Sequence, residues 1–348
     1  VSFNKKSKVL NRLSDKAFPD NIFKITKFLI SGALNPNWEE TVATGELQTV
    51  FDNIKVIGEY DSRSLTAKLD QISGFDTELS KGLDQSKSAD DLLRFFGLIK
   101  QQPWMQTTHQ FGYIALRQPG SIESQEIQYP GAIAADVSLK NNRINIRLDR
   151  LRVHKYPGNG THNIMVNFAA RNQVADSQET VTFSQTYRVG EKQTAGVAGY
   201  PIFIGLNVGS QGVAFEGSTV NVNNEADQAI LAALESPPFQ SGLSLLTTAQ
   251  PAIAPFTEIT LGVVKALAKR TENVPVQKFY LGLDFEDAPM GIRLAEGNYI
   301  AAQVPSETAI EWHKWVYRPD IGTIVHKADS LETLPYNYLV FRVSRYEA

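Results

Sequence analysis

Cysteine is missing altogether from this 348-residue chain. That removes thiolate nucleophiles, iron–sulfur clusters, zinc ribbons and disulfide staples together. A surplus of positive charge is missing too: 34 basic residues face 37 acidic ones, for a net charge of −3. Without spare cations to neutralise phosphates, duplex nucleic acid is not an expected partner, although a local basic patch stays open. Long apolar runs are also lacking. The stretch Ile22–Ile30 is interrupted by Lys24, Thr26 and Lys27, and none approaches the ~20 apolar residues that span a bilayer. The leader carrying Lys5, Lys6, Lys8, Arg12 and Lys16 is not followed by the apolar stretch of a signal peptide. It reads as a solvated segment without the apolar face of a membrane helix. The expectation is a soluble, cytoplasmic protein with no transmembrane segment, peripheral membrane contact being left open.

Recognisable catalytic motifs are equally scarce. The five histidines are His109, His154, His162, His313 and His326, and no pair has the spacing of HExxH or of a zinc finger. Gly209-Ser210-Gln211-Gly212 has the wrong spacing for a nucleophile elbow and reads as a β-turn. The glycines between Gly196 and Gly217 make neither GxGxxG nor a Walker loop.

What is present is a β pattern. Hydrophobic residues make up 42% and charged residues 20%, enough to build a large core without a staple. From Asn142 to Val222 run INIRLDRLRVHKY, NIMVNFAARNQ, VTFSQTYRV, YPIFIGLNV and VAFEGSTVNV. Each is rich in Val, Ile, Phe and Tyr and bounded by turn residues, as at Pro157–Gly160, so each reads as a half-buried antiparallel strand. In the first, the alternation slips near Asp149, which predicts a bulge. Further strands are expected at His109–Ala115, Ala132–Leu139, Val276–Phe285, Tyr299–Val304, Glu311–Tyr317, Thr323–His326 and Tyr338–Ser344.

Helical spacing appears before and within this pattern. Asp20–Ser31, Ser62–Ile72 and a segment opening near Ser88 read as helices, the last carrying Leu92, Phe95, Phe96 and Ile99 and stopping at Pro103. Thr41–Ile57 is open between helix and strand, and Gly74–Ser88 reads as a loop. Two inserted helices are expected near 224–235 and 255–271; Lys265, Lys269 and Arg270 suit the C-terminal dipole of the second. Strands do not alternate regularly with helices, which disfavours a doubly wound fold. The fold class is therefore mainly β with α: an antiparallel β-sandwich, C2-like or jelly-roll-like, over residues 108–348, preceded by a mainly helical region over 1–107.

Three groups of residues suggest function. Trp312, Trp315 and Tyr317 form an aromatic cluster; in one strand the two tryptophans would point to opposite faces, presenting one of them to a partner. Asp284, Glu286 and Asp287 follow the strand KFYLGLDF and offer carboxylates to calcium, which takes about six to eight oxygens, so a second loop through Asp149 or Asp176 would be needed. His154 and His162 flank the Pro157–Gly160 turn and would approach across a hairpin; His313 and His326 form a similar pair. The leading reading is a non-catalytic binding or adaptor protein with a protein partner, as in a subunit of a bacterial assembly. The alternatives are a hydrolase acting on a glycan or ester through converging carboxylates or histidines, and a calcium-dependent membrane-attachment module. No cofactor other than calcium is indicated.

Overall fold

Ile144, Ile146 and Leu148 alternate with Asn145 and Arg147, and a period of two sends such a set to one face of a strand. All three apolar side chains are fully buried, within strand β3 (Arg143–Val153). The computed structural model describes residues 49–72, 89–116, 123–174, 177–223, 227, 231, 242–246, 253–286 and 291–347. Its other strands are β1 (Thr108–Ala115), β2 (Gln125–Glu126), β4 (Thr161–Val174), β5 (Ser177–Gly190), β6 (Gln193–Thr194), β7 (Tyr200–Asn207), β8 (Gly212–Asn221), β9 (Leu243–Ser244), β10 (Val274–Asp284), β11 (Gly297–Val304), β12 (Trp315–Arg318), β13 (Thr323–His326) and β14 (Tyr338–Arg345). The helices are α1 (Ser62–Leu69), α2 (Ala89–Lys100) and α3 (Ile253–Lys269).

The protein is mainly β and sandwich-like. A seven-stranded sheet runs β1-β11-β14-β3-β7-β9, with β6 added to β3, and faces a four-stranded sheet in the order β10-β8-β4-β5. All pairings are antiparallel except β7 with β9. Aromatic rings join the two sheets. Phe215 of β8 lies 5.3 Å from Phe168 in its own sheet, and 4.8 Å from Phe341 and 6.5 Å from Phe203 in the opposite one. Removing one such ring from water contributes about 1.5–3 kcal/mol.

Two further layers cover the outer faces. Over the four-stranded sheet lie α3 and the segment 49–72. Thr257 of α3 donates its hydroxyl to the Thr180 carbonyl of β5 (3.2 Å). Val50 donates its N–H to Glu216 of β8 (2.7 Å), and Lys278 of β10 donates to the Ile54 carbonyl (3.1 Å). Lys68 of α1 holds the end of α3 in place. Its Nζ donates to the carbonyls of Thr271 (2.5 Å), Asn273 (2.6 Å) and Arg270 (3.2 Å). Burial pushes the ammonium down to about 8, while three acceptors match its three donors. Phe51, Ile54, Ile57, Leu65, Leu69, Phe95, Ile99 and Trp104 belong to the same apolar cluster as the sandwich interior.

The opposite outer face, that of the seven-stranded sheet, is covered by a small sheet in the order β13-β12-β2. Between them lies a second core of Ile114, Ile300, Val340 and Tyr338 against Trp312, Tyr317 and Ile324. Trp312 donates its indole N–H to the Phe111 carbonyl (2.8 Å).

Several expectations need correction. The five central strands exist, but of their successive pairs only β4 and β5 are direct partners. The Pro157–Gly160 and Gly209–Gly212 turns carry the chain from one sheet to the other, since β3 and β7 belong to the large sheet and β4 and β8 to the small one. Residues 132–139 are not a strand. The Asp136 carboxylate accepts from the Ser138 N–H (3.0 Å), drawing the chain into a 3-10 turn at Val137–Leu139. Glu311–Tyr317 is a 3-10 turn at Trp312–Lys314 followed by β12, so the two tryptophans are not strand neighbours. The expected helix at Asp20–Ser31 and loop at Gly74–Ser88 lie outside the described residues, as does the inserted helix near 224–235 apart from Asp227 and Leu231.

Candidate functional site

The slip of alternation at Asp149 is real. Opposite β14, Val340 pairs with Arg150 and Phe341 with Leu148, so Asp149 is the extra residue of a bulge. A bulge re-aims its side chain. Here the outer face of the large sheet carries a polar row across three strands, Asn298 of β11 opposite Arg342 of β14 opposite Arg147 of β3. Asp149 joins that row. It is 5% exposed, and its Oδ2 accepts from both Nη2 (2.6 Å) and Nε (3.1 Å) of Arg342. Asn298 Oδ1 accepts from the same Nε at 3.3 Å.

Both Arg342 bonds fall on one carboxylate oxygen. The other, Oδ1, is buried and has no hydrogen-bond partner. A buried acceptor left unpaired costs about 1–3 kcal/mol, more when charged. Gly199 lies beside this oxygen: a Cβ there would stand 3.7 Å from Oδ1, an ordinary contact, and its φ of +66° suits glycine. Arg150 donates from Nη1 to the carbonyls of Asp149 (2.6 Å) and Val197 (2.7 Å) and also hydrogen-bonds Tyr317. Burial pushes the Tyr317 hydroxyl above the ordinary tyrosine value, and the Arg150 charge opposes it. Arg147 is half-buried and has no ion-pair partner among the described residues.

These groups line a cavity of about 380 Å³ between the large sheet and the β12 layer. Gln125 and Pro319 complete its rim. That volume lies within the range of small-molecule pockets. Three guanidiniums and one carboxylate give it a positive balance, with one guanidinium and one carboxylate oxygen free to meet a ligand.

The aromatic trio is divided by the fold. Trp312 and Tyr317 are each 6% exposed; Trp312 belongs to the second core and Tyr317 to the cavity wall. Trp315 is half-buried, with its ring edge-on to His326 at 5.2 Å. The carboxylates after β10 do not converge within the described residues. Asp284 is half-buried with its carboxyl pushed up by burial, Glu286 is exposed, and Asp287 and Asp176 lie outside the described residues. Asp149 is committed to Arg342 on the far face of the sandwich. Among the described residues no three His, Asp or Glu side chains gather as metal ligands, and no helix is long and apolar enough to cross a membrane.

The histidine pairs are separated as well. His162 lies in the small sheet, its Nδ1 3.3 Å from Asn221 Nδ2 and its ring 5.8 Å from Tyr156. His154 follows the end of β3, among Arg152, Lys155 and Lys192, whose charges lower its pKa after burial has done so. His326 sits opposite Trp315 rather than His313. Arg147, Asn298, Gly199 and Arg342 were not singled out in the sequence; the irregular period at Asp149 was the one signal pointing to them. Comparison with protein-family models, with curated proteins and with solved structures finds no match in any of the three.

Proposed function

We propose that the protein is a non-catalytic binding protein whose cavity beneath β12 holds a compact ligand bearing an anionic group beside a hydrogen-bond donor. The observation that carries this reading is the unpaired Asp149 Oδ1 in a cavity shared with the uncommitted Arg147 guanidinium. The anion meets Arg147, whose planar fork suits carboxylate and phosphate alike. The donor, a hydroxyl or an amine, meets Oδ1. A binding role is favoured over glycoside hydrolysis because the lining offers one carboxylate, already paired, where that chemistry uses two.

Titration calorimetry tests this with malate, glutamate and glycerol phosphate, each joining an anion to a donor, against succinate and glutarate, which lack the donor. At least one ligand of the first group should bind the wild type, and Arg147→Gln should weaken it by about tenfold, or about 1.4 kcal/mol. Equal binding by Arg147→Gln, or a preference for succinate over malate, contradicts the reading.

A further inference from the structure

A second cavity, larger than the one beneath β12, lies on the other side of the sandwich. It is a groove of about 830 Å³ between α1, the last turns of α3 and the segment from Asn53 to Tyr60. Four lysines line it, Lys55, Lys68, Lys265 and Lys269, and no carboxylate does. Lys265 and Lys269 stand one helical turn apart, and like charges at that spacing repel. Neither has an ion-pair partner among the described residues.

Several nearby carboxylates are engaged, whereas the exposed Asp70 and Glu272, which flank the lining residues Gln71 and Thr271, have no ion pair among the described residues. Asp52 accepts from the Thr49 N–H (3.0 Å). Glu59 pairs with Lys278 (3.2 Å) and accepts from the Val56 N–H (3.0 Å). Asp61 caps α1 through the Ser64 N–H (2.9 Å). Asp227 pairs with Arg270 (3.2 Å). Lys68 is committed too: its Nζ donates to the carbonyls of Arg270, Thr271 and Asn273 in the segment that follows α3. That leaves Lys265 and Lys269 as exposed cations on the groove, joined by the exposed Lys55, whose charge also acts on the nearby Asp61 carboxylate. Lys55 rests over the Tyr60 ring at 4.5 Å, which holds its charge toward the groove.

We propose that this groove binds a soluble oligophosphate. Ammonium groups act as point charges for phosphate, and three on one groove match a chain of several charges better than one carboxylate. Asn53, Ser64, Gln71 and Thr271 add neutral hydrogen-bonding groups along the walls. The concave shape favours a molecule that enters over a flat lipid surface. The site is independent of the Arg147 cavity, being on the opposite outer face.

The test is titration of the full chain with inorganic tripolyphosphate, using wild type, the double variant Lys265→Gln/Lys269→Gln, and Arg147→Gln as a control. Both lysines are exposed, so the double variant should fold, which circular dichroism checks. Tripolyphosphate should bind saturably, weaken with added salt, and lose about tenfold or more in affinity in the double variant, with Arg147→Gln unchanged. Absence of saturable binding to wild type, or equal affinity in the double variant, overturns the proposal. Tighter binding of a thymidine decanucleotide or of anionic vesicles than of tripolyphosphate overturns the ligand class.

Discussion

Acid should destabilise this protein well above the range where ordinary carboxylates titrate, and buried histidines are the reason. His162 Nδ1 faces Asn221 Nδ2, a donor whose orientation is fixed by its second bond to the Pro157 carbonyl (3.0 Å). A proton on Nδ1 would set donor against donor. Its Nε2 is sealed from water with no partner, as is Nε2 of His109, whose ring lies 5.4 Å from Phe279. Burial pushes both rings from 6.5 down to about 4, a hydrogen bond with Gln277 partly opposing it for His109. The folded protein thus binds fewer protons than the unfolded chain between those values. The stability this represents is fully present above pH 6.5 and is lost as pH falls toward 4. Between pH 7 and 5 each ring should cost about 2 kcal/mol. Glu216 and Asp284, whose carboxyls burial pushes up, act in the opposite sense at the lower end of the window. Urea unfolding followed by tryptophan fluorescence measures the effect. The His162→Gln variant stays neutral throughout and should lose about 2 kcal/mol less than the wild type over that range, the rest of the loss coming from His109 and from His154, whose pKa is lowered too. A wild-type midpoint that is flat from pH 7 to 5 would refute the argument, as would a variant that falls as steeply as the wild type.

Other perturbations bear on the layers separately. Phe215→Ala empties the junction of Phe168, Phe203 and Phe341 and should cost about 3–5 kcal/mol in chemical denaturation. Lys68→Met leaves three carbonyls in the segment after α3 without their donor, for a loss of about 2–4 kcal/mol and a lower calorimetric melting temperature. Trp312→Phe keeps most of the apolar volume but removes the donor to the Phe111 carbonyl; the expected loss is about 1–2 kcal/mol by the same assay. Gly212→Ala would set a Cβ 2.0 Å from the Leu283 carbonyl oxygen at a φ of +139°, so a lower yield of folded protein and a loss of about 2 kcal/mol or more should follow.

The strands were legible because alternation is a local property. Each of the five runs from Asn142 to Val222 carries its own period of two, and each became a strand. Sheet membership is not local. A run that buries one face reads the same whether that face belongs to the large sheet or the small one, so Pro157–Gly160 could not be told from a hairpin turn. Trp312 was misplaced for a related reason: Glu311, His313 and Lys314 interleave with apolar residues as a strand would, but the Lys314 N–H turns back to the Glu311 carbonyl (2.9 Å). Aromatic count could not tell the core from the surface either, because the layer that buries Trp312 and Tyr317 begins with β2, a strand of two residues.

The Arg147 cavity shows where legibility stops for function. Asp149 stood out because a bulge breaks the period of its own strand, and that break is written in adjacent residues. Its partner Arg342 lies 193 residues away, and nothing near Arg342 distinguishes it from the other arginine of β14, Arg345. The free oxygen of Asp149 is more remote still from the sequence, since it results from Arg342 spending two donors on a single acceptor. A forked pairing across both oxygens would have satisfied the same two residues and left the cavity without an acceptor to offer. The choice between those geometries is made by the register of β14 on β3, shifted by one residue at the bulge. Deleting Asp149 should therefore do more than remove a charge: it should restore a continuous ladder and close the ligand-facing acceptor, whereas Asp149→Asn should keep the bulge and remove only the charge. Amide exchange across Arg147–Arg150 separates the two, with slowed exchange expected for the deletion and unchanged exchange for Asp149→Asn. Identical protection in both variants would mean that the bulge is held by the turns around it and not by the extra residue.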